Sequence, residues 1–224
     1  MYFILFIGIS IISWLVQHNL TNKFRKYSHV PIGSSMRGRD IAAQMLRDNG
    51  INNVSISSTP GQLTDHFNPA NMTVNLSDVV YGSDSVAAAA VAAHECGHAV
   101  QHHTGYSMLV LRSKLVPVVS FASKWVSWVL LAGIFAVESF PQLLMAGIAL
   151  FALTTLFSLV TLPVEIDASR RAIKWLNTAG VTDSYTHAMA QDALRAAAYT
   201  YVVAAISSLA TLMYYVMILM RRRD

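Results

Sequence analysis

The sequence predicts a mainly α-helical integral membrane protein with about four transmembrane helices and a small β-strand element. Of its 224 residues, 54% are hydrophobic and only 12% are charged, whereas a typical soluble domain is about 25% charged. Several apolar stretches approach the roughly 20 residues that a helix needs to cross a bilayer. The polar residues, by contrast, are concentrated in two blocks.

The first predicted span covers residues 2–16 and is short but nearly pure Ile, Leu and Phe. A signal peptide is the alternative, but no small-residue cleavage site follows, so a retained span is expected. The other three predicted spans are residues 116–137, 141–162 and 199–220, and a tight turn at residues 138–140 joins two of them.

These spans divide the chain into five predicted parts. They are an N-terminal transmembrane helix (1–18), a polar part with the motif helix (19–115), a transmembrane hairpin (116–162), a second polar segment (163–198), and a C-terminal transmembrane helix with a basic tail (199–224).

The first polar block combines helical and strand patterns. Residues 39–48 place Ile41, Ala42, Met45 and Leu46 on one helical face, whereas residues 54–56 and 72–76 alternate as short strands do. The Ala-rich run predicts a helix over residues 86–103, since Ala has the highest helix propensity. Ser83, Asp84 or Ser85 is expected to cap this helix, and Gly105 to end it.

The charge pattern indicates a membrane partner and argues against nucleic acid. The net charge is +4, and the cations lie beside the predicted spans. With four spans, both polar blocks fall on one side, which receives twelve Lys and Arg residues against three at Arg221–Arg223. This bias predicts a multi-pass protein of the cell membrane with its polar blocks in the cytoplasm. The basic tail conflicts with that orientation, so the last apolar segment has a surface or re-entrant helix as its alternative.

Cysteine usage agrees with this compartment. Cys96 is the single cysteine, which excludes an internal disulfide and is compatible with a reducing compartment.

The residues most indicative of chemistry form an H-E-x-x-H motif on the predicted helix. His94 and His98 are four residues apart and share a face, so both imidazoles can reach one metal ion. Glu95 is placed to accept a proton from a water on zinc, which lowers the pKa of that water to about 7. The alternative is a helix that happens to carry two histidines. It is disfavoured because a glutamate on so apolar a helix is costly without a role.

A catalytic zinc site needs a third protein ligand. His102 and His103 are expected at the helix end or surface, and an unbroken helix rotates His102 past the metal. The chain has three glutamates, and Glu138 lies in the tight turn at the opposite membrane face. Glu165 is therefore the predicted third ligand, placed after Pro163 at the start of a helix. Asp167 is its competitor, and a simple helix-dipole carboxylate is the other interpretation of Glu165.

At this point the residues resemble a known family. Residues 75–81 (NLSDVVY), 91–101 (VAAHECGHAVQ), 61–69 (GQLTDHFNP) and 162–172 (LPVEIDASRRA) are similar to the YugP-type neutral zinc metallopeptidases of bacterial membranes. A more distant similarity is to the HtpX and CAAX-prenyl protease group. There, a glutamate after a membrane hairpin completes a zincin-like site, the gluzincin arrangement. The resemblance implies a zinc protease with Glu165 as third ligand.

The resemblance also suggests supporting residues. Ser169 stands where the distant group has aspartate, so Ser169 or Asp167 is expected to orient a histidine. Residues 72–76 are placed to form an edge strand that pairs with substrate, with an ordinary structural strand as the alternative. His66 is a candidate for oxyanion stabilisation, against a turn histidine bonded to its own backbone. Arg170 or Arg171 could bind Asp167, a substrate carbonyl or the membrane surface.

The sequence thus predicts a membrane-embedded zinc-dependent metalloendopeptidase acting on a protein or peptide substrate. Glu95 assists the attack of zinc-bound water on the peptide bond. The main alternative is a non-catalytic membrane zinc protein that serves as a scaffold or regulator, although metal binding alone does not require Glu95. A transporter with a metal site within the bilayer is a third alternative, and the position of the motif between a polar block and a span disfavours it.

Overall fold

The computed structural model describes residues 2–221, and in this part of the chain seven helices accompany three short strands. In chain order the elements are α1 (Tyr2–Tyr27), α2 (Gly38–Asp48), β1 (Ser55–Thr59), β2 (His66–Asn68), β3 (Thr73–Ser77), α3 (Asp78–Gly82), α4 (Val86–His103), α5 (Ser107–Phe135), α6 (Pro141–Thr178) and α7 (Ser184–Arg221).

Four of these helices, α1, α5, α6 and α7, are long and apolar enough to cross a membrane. This confirms the predicted mainly α-helical membrane class. All four are longer than the predicted spans, since polar residues continue the same helices, although α5 ends at Phe135, two residues before its predicted end. Of the basic tail, Arg222, Arg223 and the side chain of Arg221 lie outside the described residues.

Pro163 was expected at the first position of a new helix, and this prediction is wrong. Pro163 lies inside α6, which continues from Pro141 to Thr178. A proline removes one backbone hydrogen bond and strains the preceding turn, but buried neighbours such as Val160 and Val164 hold the helix on both sides. Glu165 therefore projects from the interior of a long helix, and its direction is fixed by the turns before and after it.

The contacts divide the chain into two compact units. Unit 1 contains the residues up to Trp14, Met108–Pro163 and the residues from Tyr201 onward. Within it, a Cβ on Gly133 of α5 would lie 2.6 Å from Cα of Leu144 on α6. Such small residues allow membrane helices to approach closely. The hydroxyls of Thr155 and Ser208 lie 2.8 Å apart and connect α6 with α7.

Unit 2 contains Leu15–Ser107 and Val164–Thr200. Its core forms around α4, which is buried along most of its length. The predicted apolar face of α2 is buried as expected. The side chain of Ser85 caps α4 by accepting a hydrogen bond from the Ala88 N–H, and α4 has the predicted bounds.

Long-range polar contacts join the two chain segments of unit 2. The Trp175 indole donates to Asp48 at 2.9 Å. Lys23 and Tyr27 of α1 both bind Asp192 of α7 at 2.7 Å. These contacts hold the ends of α6 and α7 in the same unit as α2 and α4.

The sheet has the order β1-β3-β2, with β1 parallel and β2 antiparallel to β3. The prediction that residues 72–76 form an edge strand is therefore wrong, because β3 is central and β1 and β2 are the edges. The reason is β2, a three-residue strand in a segment that has the composition of a turn. Phe67 pairs with Val74, and Val74 and Leu76 are fully buried.

Candidate metal centre

The motif helix places two imidazoles side by side. His94 and His98 lie one turn apart on α4, and their rings meet edge to face with centroids 4.8 Å apart. Both side chains are largely shielded from solvent, at 13% and 11% exposure. The motif spacing thus produces the shared face that was predicted for it.

Glu165 of α6 completes a group of three possible ligands. Its Oε2 lies 3.3 Å from Nε2 of His94 and 3.5 Å from Nε2 of His98. All three ligand atoms lie within 4.8 Å of one another. Zinc bonds of about 2.0–2.1 Å in a tetrahedron separate neighbouring ligand atoms by about 3.3 Å. Two imidazole nitrogens and one carboxylate oxygen at these separations fit a zinc ion.

A close approach between helices makes this convergence possible. A Cβ on Gly97 would lie 2.6 Å from the carbonyl oxygen of Ala168, closer than real Cβ contacts. Gly97 lies between the two histidines in sequence, and Ala168 is one turn from Glu165 along α6. The absence of a side chain at Gly97 therefore allows α4 and α6 to approach near the ligand group.

Each histidine has a partner on its second ring nitrogen. The hydroxyl of Ser169 lies 3.1 Å from Nδ1 of His94. Oε1 of Gln101 lies 3.0 Å from Nδ1 of His98. Both Nε2 atoms are thus directed towards Glu165, and partners on Nδ1 are what hold a metal-binding imidazole in orientation.

The contacts of Gln101 determine which nitrogen of His98 carries the proton. Gln101 is fully buried, and its Nε2 donates at 2.8 Å to the Val164 carbonyl and at 2.8 Å to Asp167. Its Oε1 is therefore the atom that faces His98 and can only accept. Nδ1 of His98 must donate to it, which leaves Nε2 of the neutral ring with a free lone pair for a metal.

Asp167 is used in this support. Besides accepting from Gln101, it accepts from Nε of Arg171 at 2.6 Å. Arg171 also lies over the ring of Tyr106, 5.9 Å from its centroid. Asp167, the competitor of Glu165 in the sequence, is thus occupied by other partners. Ser169 and Asp167 were both suggested for orienting a histidine. Ser169 contacts His94 directly, and Asp167 contacts Gln101, which in turn contacts His98.

Glu95 lies beside the ligand group without belonging to it. Its side chain is buried, and its Oε2 accepts the Phe67 N–H of β2 at 3.1 Å. Phe67 is on an edge strand, so this hydrogen bond joins the motif helix to the edge of the sheet. The carboxylate is thus held by a backbone donor rather than paired with a cation.

The remaining candidates do not belong to the group of three possible ligands. Nδ1 of His66 lies 2.8 Å from the carbonyl oxygen of Thr64, and Nε2 lies 3.2 Å from the amide of Asn75. His66 is thus an exposed residue bonded to the nearby backbone, the alternative interpretation given above. His102 packs against Phe67 near the end of α4. Arg170 is exposed and does not contact Asp167 among the described residues.

The environment of α4 also shifts two ionisable groups. Burial lowers the pKa of His98, but the hydrogen bond to Glu165 and the charges of Glu95 and Glu165 raise it, and the net shift is upward. Burial raises the pKa of the Cys96 thiol well above its usual range. The Cys96 thiol donates to the Ala42 carbonyl at 3.6 Å and does not belong to the group of three possible ligands.

Sequence reasoning did not identify the role of Gln101 or the contact of Phe67 with Glu95. For Gln101 a signal existed, because a residue three positions after His98 lies beside it on a helix. For Phe67 no sequence signal existed, since its contact with Glu95 depends on how β2 pairs with β3.

Comparison with known proteins agrees with the site. Residues 2–220 match the model of a family described as "Putative neutral zinc metallopeptidase". The chain is 39% identical over 213 residues to the "Putative membrane protease YugP" of Bacillus subtilis (strain 168), covering 95% of this chain and 94% of that protein. No solved structure matches the chain. Because the family model covers almost all of its length, the chain belongs to this family of neutral zinc metallopeptidases.

Proposed function

We propose that the protein is a membrane-embedded zinc-dependent metalloendopeptidase. His94, His98 and Glu165 hold the zinc ion, and Glu95 is the general base. The observation that carries this proposal is the convergence of two imidazole nitrogens and one carboxylate oxygen at zinc-like separations. The family and the relative named a membrane protease support it.

The chain's own residues divide the chemical work. Zinc, when bound, supplies a Lewis acid that polarises a carbonyl and makes water more acidic. Glu95 accepts the proton of the attacking water and returns it to the leaving amine nitrogen. The Phe67 N–H keeps the Glu95 carboxylate in place for both transfers. Such a positioned base contributes about 100- to 10,000-fold to the rate.

The substrate chain is proposed to lie along β2 rather than β3. β2 is an edge strand, and its Phe67 is hydrogen-bonded to the general base. Extended peptides bind exposed strand edges through their backbone, and side-chain pockets then select the sequence. A peptide on β2 would place its backbone beside Glu95 without displacing a strand of the sheet.

The catalytic site is proposed to face the cytoplasm. The polar blocks carry twelve basic residues, and this bias supports the orientation. We also propose that the chain is divided into the five predicted parts, with boundaries at residues 18, 115, 162 and 198.

A rescue experiment separates hydrolysis from the scaffold alternative. In cells that lack the gene, His94→Ala should fail to restore function because the metal is lost. Glu95→Gln should fail as well, although it keeps the metal. Rescue by Glu95→Gln, together with failure of His94→Ala, would instead establish a metal-dependent scaffold.

A further inference from the structure

A cavity lies within unit 2, between α6 and α7, with a volume of about 440 Å³. Three basic side chains line it: Arg170 and Lys174 from α6, and Arg195 from α7. Among the residues that the structure describes, no acidic side chain lines it. Arg170 and Lys174 are four residues apart, a spacing at which like charges repel on a helix.

The nearest carboxylates of these helices are bound elsewhere. Asp167 accepts from Arg171 and Gln101, and Asp192 binds Lys23 and Tyr27. Across residues 2–221, the side chains of Arg170, Lys174 and Arg195 form no ion pair or hydrogen bond. The cavity therefore combines three positive charges that no carboxylate of the described residues neutralises.

The floor of the cavity is apolar. Ile166, Ile173 and Leu194 line it, and Leu194 is buried. Arg170, Lys174 and Arg195 are all exposed and form the rim of the cavity, so their attraction for an anion is modest and is screened by salt. An anionic group with an apolar neighbour would thus match both the rim and the floor.

One side chain belongs to both the cavity and the metal centre. Ser169 lines the cavity, and its hydroxyl lies 3.1 Å from Nδ1 of His94. A peptide with its reacting carbonyl near His94 could therefore extend into the cavity, since each extended residue spans about 3.3–3.6 Å.

We propose that this basic cavity binds a carboxylate of the peptide substrate, either an acidic side chain or the C-terminal carboxylate, close to the bond that is cut. The inference rests on the proposed function, which it deepens by naming a substrate class. The proximity of the cavity to Ser169 and His94 favours a peptide over the phosphate of an anionic lipid as the ligand.

The first test measures binding without turnover. Zinc-loaded full-length Glu95→Gln protein in phosphatidylcholine nanodiscs is titrated with fluorescent peptides in which one residue is Glu, Gln or Lys. Each peptide is made with a free and with an amidated C-terminus. Binding should favour Glu or the free carboxylate and weaken with salt. Arg170→Gln, Lys174→Gln and Arg195→Gln should each weaken it by about two- to fivefold. Arg47→Gln, an exposed cation on α2, is the matched control and should change nothing.

The second test reverses the charge. Arg195→Glu lowers the net charge of the three positions from +3 to +1, so it should weaken binding of the Glu peptide more than Arg195→Gln does and strengthen binding of the Lys peptide. General loss of folding cannot produce the gain for the Lys peptide. Comparing the side-chain and C-terminal series shows which carboxylate is bound. If the peptides bind with no preference for a carboxylate, the proposal is overturned. It is also overturned if the three variants bind phosphatidylglycerol more weakly than the wild type does but bind the peptides equally well.

Hydrolysis by the wild type is measured in parallel. Carboxylate-dependent binding without any hydrolysis would retain the cavity assignment and reject the peptidase function. Hydrolysis of all peptides, with equal binding of the Glu and Gln peptides and of the free and amidated C-termini, would retain the peptidase function and reject the cavity assignment.

Discussion

Gln101 and His98 lie three residues apart on α4 and are joined by a hydrogen bond of 3.0 Å between Oε1 and Nδ1. This bond fixes the tautomer of His98 because the Gln101 amide is held by the Val164 carbonyl and Asp167. A buried glutamine therefore directs the second nitrogen of His98 towards Glu165.

Gln101→Met should remove these hydrogen bonds while keeping a side chain of similar length. Zinc affinity should fall by about 10- to 100-fold, as is typical when a partner of a metal-bound histidine is lost. Competition with a chromophoric chelator measures the affinity. Gln62→Met makes the same change at an exposed site and should leave zinc binding unaltered. Equal affinities for wild type and Gln101→Met would show that Gln101 does not position His98.

Gly97→Ala should separate α4 from α6, because the new Cβ meets the Ala168 backbone at 2.6 Å. We expect a loss of about 1–3 kcal/mol in stability, as for other overpacked contacts, together with weaker zinc binding. Thermal unfolding in detergent and zinc titration measure the two effects. Gly82→Ala is the control, since nothing lies within 4 Å of a Cβ there. Wild-type behaviour of Gly97→Ala would contradict the role given to this contact.

Glu165→Ala should reduce the zinc content from about one ion per chain to near zero, because the site then has only two protein ligands. Asp167→Ala should retain zinc and bind it more weakly, since Asp167 acts through Gln101. Elemental analysis of the purified variants measures the content. If Asp167→Ala alone removes the zinc, the third ligand has been assigned to the wrong carboxylate.

Cysteines introduced at exposed positions should report the orientation in the membrane. In a Cys96→Ala background, cysteines at Ser57 and Asn177 should be protected from an impermeant thiol reagent in intact cells, because both polar blocks are proposed to be cytoplasmic. A cysteine at Ser139 should react. Permeabilised cells provide the control, in which all three react. Reaction at Ser57 in intact cells would place the metal centre on the outer side.

The motif helix and the position of Glu165 beside it could be predicted from sequence because the signals are local or scarce. The spacing of His94 and His98 determines a shared helical face, and only three glutamates were available as partners. The continuation of α6 through Pro163 could not be predicted, since packing on both sides outweighs the local effect of proline. Strand β2 could not be predicted either, because three residues give too little alternation to distinguish a strand from a turn.

The central claim is that Glu95 transfers a proton at a site whose metal His94, His98 and Glu165 hold. The most direct test measures zinc content and casein hydrolysis on the same reconstituted samples of wild type and Glu95→Gln. Glutamine keeps the volume of the side chain but does not accept the proton. Zinc content should remain at about one ion per chain while turnover falls about 100- to 10,000-fold. Equal turnover by the two proteins would contradict the claim, and so would the absence of any hydrolysis by zinc-loaded wild type.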